Sequence, residues 1–89
     1  MVELRATVKN KLGIHARPAA YLVKASTKFE SEITLEKDGL EVNGKSIMGV
    51  MMLAAETGAE ILVRATGSDE SEATNELAKM ISNELDIEV

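Results

Sequence analysis

Residues 2–9 alternate strictly. Val2, Leu4, Ala6 and Val8 fall on one face, and Glu3, Arg5, Thr7 and Lys9 on the other. A period of two is that of a strand with one buried face. Asn10 to Gly13 breaks the pattern, and from Ala16 the period becomes helical. Ala19, Leu22, Val23 and Ser26 then share one stripe, while Arg17, Ala20, Lys24 and Thr27 share another. Ser31 to Asn43 reads as a hairpin about Asp38-Gly39, a favoured two-residue turn. That register pairs Leu35 with Val42 and Lys37 with Leu40, and it puts Ile33, Leu35, Leu40 and Val42 on one face. Ser46 to about Ala54 is a short helix, and Gly58 marks a turn. Glu60 to Thr66 alternates again, with Ile61, Val63 and Ala65 facing in. Gly67-Ser68 opens a last helix with Asp69, Glu70 and Glu72 in its first turn, where acids suit the helix dipole. Ala73, Leu77, Met80, Ile81 and Leu85 form its apolar stripe.

The predicted order is β-α-β-β-α-β-α. Each strand buries one face only, so the expected class is α+β, an antiparallel sheet covered on one side by helices. At 89 residues, with no linker or repeat, one domain over 1–89 is expected. Cysteine is absent, which excludes disulfides and thiolate metal sites. One histidine and no cysteine make a poor ligand set, so neither metal nor cofactor is expected. No apolar run is long enough to span a bilayer, and Met1-Val2-Glu3-Leu4-Arg5 lacks the zones of a signal peptide. These features set the expectation of a cytoplasmic protein that does not insert into a membrane.

Charge is unevenly spread. Residues 1–55 carry eight basic and six acidic side chains, a net +2, and residues 56–89 carry two basic and nine acidic, a net −7. The acidic end argues against a nucleic-acid partner and fits a solvated surface helix. The basic residues Arg17, Lys24, Lys28 and Lys45 lie in the other half. They predict a locally positive face on an acidic body.

The chemically informative stretch is Gly13-Ile14-His15-Ala16-Arg17-Pro18-Ala19. His15 sits where a loop becomes a helix, and Pro18 fits a first helical turn because its missing N–H costs little there. The backbone amides of Ala16 and Arg17 then face outward at a helix mouth, which binds anions through unpaired donors and the positive end of the dipole. Arg17 adds a permanent positive charge. A neutral imidazole can attack phosphorus near neutral pH, and this mouth can hold the phosphate that results. Spacing alone equally allows a capping histidine beside a surface arginine.

The same stretch resembles the active-site signature of HPr, the phosphocarrier family of the bacterial phosphoenolpyruvate:sugar phosphotransferase system. The resemblance covers the whole chain, including its length and element order. It implies an open-faced sandwich of four antiparallel strands and three helices. It also implies that His15 is phosphorylated on Nδ1 by enzyme I and passes the group to IIA domains of sugar transporters, with Arg17 assisting. The protein would then be a carrier, not an independent catalyst, and is expected to be a monomer.

Ser46 before an apolar helical run is a good N-cap. Beyond capping, Ser46-Ile47-Met48-Gly49-Val50-Met51 is similar to the segment that HPr kinase/phosphorylase controls. That implies a regulatory phosphorylation at Ser46, with the kinase and a transcriptional regulator as further partners. In the short helix Val50 and Leu53 can fill the core. Burial is the usual fate of methionine, yet Ile47, Met48 and Met51 cannot all follow them inward. The resemblance implies that these three form an exposed patch beside the histidine, and the stripe of Ala20, Lys24 and Thr27 is expected to complete the partner interface. One feature departs from the sugar-branch pattern. Leu12 stands where those carriers often have a small polar residue, and Asn10-Lys11-Leu12-Gly13 is closer to NPr, the nitrogen-related carrier. A small-molecule-sensing module and a small hydrolase are the other classes to weigh. The first leaves the His15 helix mouth unexplained, and the second lacks a base or nucleophile beyond His15.

Overall fold

The computed structural model describes residues 1–83. The elements are β1 (Val2–Thr7), α1 (Ala16–Ser26), β2 (Glu32–Lys37), β3 (Leu40–Asn43), α2 (Ile47–Met52), β4 (Glu60–Thr66) and α3 (Glu70–Ile81). The order is the expected one. All four strands form one antiparallel sheet in the order β1-β4-β2-β3. β4 lies between β1 and β2, so Ile61, Val63 and Ala65 are fully enclosed.

The β2–β3 hairpin has the register expected from its turn, with Leu35 opposite Val42 and Lys37 opposite Leu40. Asp38 and Gly39 both take positive φ, 51° and 86°, as a type I′ turn requires. The helices cover one face. Ala19 and Leu22 of α1, Val50 of α2, and Ala73, Leu77 and Ile81 of α3 meet Ile33, Leu35, Ile61 and Val63 of the sheet in one core. Leu85, expected on the apolar stripe of α3, lies outside the described residues.

Two expected core positions are exposed. Leu4 and Leu40 carry inward parity, but each belongs to an edge strand. An edge strand has a neighbour on one side only, so part of its inward side stays wet. The first strand also ends at Thr7 and not at Lys9. Beyond it, Val8 stays buried and bonds through its amide and carbonyl to Ala59 and Gly58.

The other sheet face is open and charged. Arg64 of β4 donates from Nε to Glu3 of β1 at 2.7 Å, pairs with Glu36 of β2 at 3.6 Å, and meets Glu41 of β3. One guanidinium thus spans all four strands, and it relieves Glu36 and Glu41, which stand directly opposite each other.

Asp69 precedes α3 but does not cap it with its side chain. Its carboxylate accepts the amides of Glu30 at 2.9 Å and Ser31 at 3.0 Å, and the Ser31 hydroxyl. These bonds tie the turn after α1 to the turn after β4. The Ser31 hydroxyl, followed by the Glu30 amide, holds the Asp69 carboxyl below its ordinary value of 3.8. A carboxylate lowered in this way stabilises the fold above its unfolded pKa and loses that effect as pH falls toward its folded one. Asp69→Asn should therefore have a lower urea midpoint than the wild type at pH 7. The gap should close as pH is lowered through 3.8 and below. A gap that persists into acid would show that the ionised carboxylate is not the source of the effect.

Candidate functional site

The segment that leads into α1 is fastened from below. Ile14 is buried, and its amide donates to the carbonyl of Ala55 at 2.7 Å. Gly13 has φ 78°, and a Cβ there would lie 2.4 Å from the same carbonyl oxygen. Only glycine fits that approach. The Thr57 hydroxyl donates to the carbonyls of Asn10 and Lys11, the latter at 2.8 Å. Residues 10–14 therefore rest on residues 55–57, and Leu12 at the tip of the turn is 79% exposed.

His15 follows directly on this seat. It is the N-cap of α1, with extended backbone (φ −96°, ψ −160°), and its side chain does not cap the helix. Its carbonyl accepts from Ala19 at 2.9 Å, the first bond of the helical ladder. Pro18 has no N–H to offer. The amides of Ala16 and Arg17 stand at the helix mouth, ahead of the first bond of the ladder. The first turn holds no acid. Arg17 is exposed and pairs with no carboxylate among the described residues. The imidazole is half-buried, between core and solvent. The arrangement offers a nucleophilic nitrogen, two directed backbone donors, the positive end of a helix dipole and a movable guanidinium. Together these can accept and hold a tetrahedral oxyanion.

The expected interface residues of α1 are where the stripe puts them. Ala20, Lys24 and Thr27 are exposed along the side that carries Arg17, and Thr27 closes the helix with its hydroxyl on the Lys24 carbonyl at 2.8 Å. Lys28 is exposed as well. Lys45 differs from expectation, because its Nζ donates to the Phe29 carbonyl at 2.8 Å. It joins the start of α2 to the end of α1 and is spent on the fold.

Ser46 caps α2, its Oγ accepting from the Gly49 amide at 3.0 Å. Val50 and Leu53 point inward, and Ile47, Met48 and Met51 are all exposed. Met52, 63% exposed, belongs to the same surface and was not singled out from the sequence. Its signal was available, because once Val50 and Leu53 face the core, positions 51 and 52 both fall on the far side of a helix. Tyr21, exposed on α1, was also missed.

The two candidate sites lie at opposite ends of α2. The chain after its C-terminus bonds to Ile14, next to His15, while Lys45 before its N-terminus bonds to Phe29 beyond the end of α1. Ser46 is thus separated from His15 by about the length of α2, six residues at about 1.5 Å each.

Comparison with known proteins bears on the same residues. A family model described as "PTS HPr component phosphorylation site" matches residues 2–83. The chain is 52% identical over 83 residues to a phosphocarrier protein HPr of Xylella fastidiosa, covering 93% of each chain. A crystal structure of HPr from Bacillus anthracis superposes with a TM-score of 0.87 at 46% identity, over 90% of this chain and 95% of that one. Crh of Bacillus subtilis, described in its crystal as a domain-swapped dimer, aligns at 47% identity and TM-score 0.76 over 96% of this chain and 98% of that one. With this likeness along nearly its whole length, and a helix mouth built around His15, the chain belongs to the HPr phosphocarrier family of the phosphotransferase system.

Proposed function

We propose that this protein takes a phosphoryl group from phospho-enzyme I onto His15 and delivers it to a IIA domain. One observation carries the reading: His15 is the N-cap of α1, at a helix mouth whose first turn holds Arg17 and no acid. The imidazole Nδ1 attacks phosphorus, the bond between phosphorus and the donor enzyme breaks, and the phosphoryl group becomes a phosphoramidate on His15. Ala16 N–H, Arg17 N–H and the Arg17 guanidinium stabilise its oxygens. The group leaves by the same path in reverse toward the acceptor. Carriage needs no cofactor, and each turnover is catalysed jointly with the partner. The partners are cytoplasmic proteins, and the carrier works with them as a monomer. A swapped dimer like that of Crh would show twice the mass in solution.

Docking rests on the apolar side of α2, through Ile47, Met48 and Met51, and on the stripe of Ala20, Lys24 and Thr27. Ser46 is the regulatory acceptor for a kinase. A phosphate there sits at a helix N-terminus, where it is tolerated electrostatically, so it acts on docking and leaves the fold intact. A second reading, a catabolite-regulatory protein that acts mainly through phospho-Ser46 on a transcriptional regulator, is favoured by the likeness to Crh. Leu12 bears on a nitrogen-branch output. Presenting phosphorylated protein to sugar-branch and nitrogen-branch IIA domains side by side identifies the branch.

Three outcomes follow. His15→Ala should accept no label from phosphoenolpyruvate and enzyme I, and wild-type label should be lost in acid. Arg17→Ala should fold normally but transfer about tenfold more slowly or worse, as loss of one charged donor at a reacting oxyanion does. Labelling of His15→Ala would end the carrier reading.

Ser46→Asp should slow phosphorylation of His15 by raising the KM for the carrier, with an unchanged circular dichroism spectrum. Equal KM values for both forms would leave Ser46 with its capping role alone.

Lys24→Glu should slow association with enzyme I at low salt and flatten its salt dependence, since exposed charges are screened over about 10 Å at 0.1 M. Association as fast as wild type would remove Lys24 from steering.

A further inference from the structure

The chain has five methionines and no cysteine, and three of the methionines stand on the six residues of α2. Successive residues of a helix are about 100° apart. Ile47, Met51, Met48 and Met52 therefore occupy one arc of about 140°, with Val50 and Leu53 opposite it in the core. Met48 is 75% exposed, Met52 63% and Met51 43%. A helix this short cannot hide them, because its two inward positions are already taken and Ser46 fixes its start. Met80 offers a contrast within the same chain, since it is half-buried and packed against the core. Met1 is exposed as well but lies outside α2, with its ammonium on Glu70 at 3.2 Å.

We propose that Met48, Met51 and Met52 form a reversible oxidation site that switches the docking surface off. The oxidant is a peroxide. A lone pair on the thioether sulfur attacks one peroxide oxygen, the O–O bond breaks, and an S–O bond forms. Sulfur loses two electrons, the peroxide oxygens gain them, and with hydrogen peroxide the other oxygen leaves as water. No thiol in this chain competes for the oxidant. Each sulfoxide replaces an adaptable apolar contact with a polar one that demands hydration. Because these side chains are exposed and lie outside the buried core, the fold survives. What is lost is the surface between His15 and Ser46. The chemical site stands on exposure alone, whereas its effect on transfer rests on the carrier reading proposed above.

The test treats the purified full-length protein with dilute hydrogen peroxide, removes the peroxide with catalase, and maps added oxygen by peptide mass spectrometry. Met48 and Met52, with the terminal Met1, should react first, Met51 next, and Met80 last. Reaction of Met80 as fast as Met48 would overturn the site. The oxidised protein should keep its circular dichroism spectrum and its melting temperature. Its kcat/KM with phospho-enzyme I should fall about tenfold through KM, as the loss of apolar contact at an interface centre predicts. Treatment with the two stereospecific methionine sulfoxide reductases and dithiothreitol should restore it. A triple variant, Met48→Leu with Met51→Leu and Met52→Leu, should have the same rate before and after peroxide, whatever that rate is. Full transfer by the oxidised wild type, or an equal loss in the triple variant, would overturn the switch. Absence of transfer before any peroxide is added would instead count against the carrier reading, and the site would then be judged by the order of oxidation alone.

Discussion

One hydrogen bond, from the Ile14 amide to the Ala55 carbonyl, sets the position of everything that faces a partner. It joins the chain just before α1 to the chain just after α2. Gly13 lets the two backbones close, and Thr57 holds the turn above them through the carbonyls of Asn10 and Lys11. A polar pair enclosed this way is expensive to break, because each freed group would lose water as well as its partner. With the seat in place, α1 must begin at His15, and its mouth must open beside α2. The candidate acceptor sits on a loop-to-helix junction, and the residues just before it are tied by these bonds to the segment after α2.

The second helix has a different design. Six residues are too few to be helical unaided. α2 persists because Ser46 caps its start, worth about 1 kcal/mol, and because Val50 and Leu53 anchor it below. Everything else on it is free to serve another molecule. Its N-terminus holds the proposed regulatory serine, and its C-terminus leads to the seat of His15. In the proposed reading, a modification at one end would reach the chemistry at the other through the surface of α2 that lies between them. The imidazole itself need not be disturbed.

Charge is partitioned by the same architecture. Glu3, Glu36 and Glu41 surround Arg64 on the open sheet face, and Asp69 is committed to the backbone of Glu30 and Ser31. These carboxylates are used within the molecule, on the sheet and at the far end of α1. The stripe of α1 keeps Arg17 and Lys24 without an acid in its first turn. An acidic protein can in this way present a basic, partly apolar face. Lys45 marks the limit of arguing from charge counts, since its ammonium is bound to the Phe29 carbonyl and does not stand out from that face.

Much of this was legible in the residues. Period-two and period-3.6 patterns are properties of neighbouring residues, so the order of elements could be read directly. The Asp38-Gly39 turn dictated the pairing of Leu35 with Val42, and the N-cap at Ser46 followed from a side chain that bonds three residues ahead. The signature around His15 identified the mouth of α1 because capping and the missing N–H of Pro18 are local as well. Tertiary structure decided what depends on distant neighbours. Insertion of β4 between β1 and β2 made β1 and β3 edges and exposed Leu4 and Leu40 despite their inward parity. The Asp69 and Thr57 bonds join residues nearly forty or more positions apart. A sequence displays the periodicity of each element, but which side chains meet water is settled by the elements packed beside them.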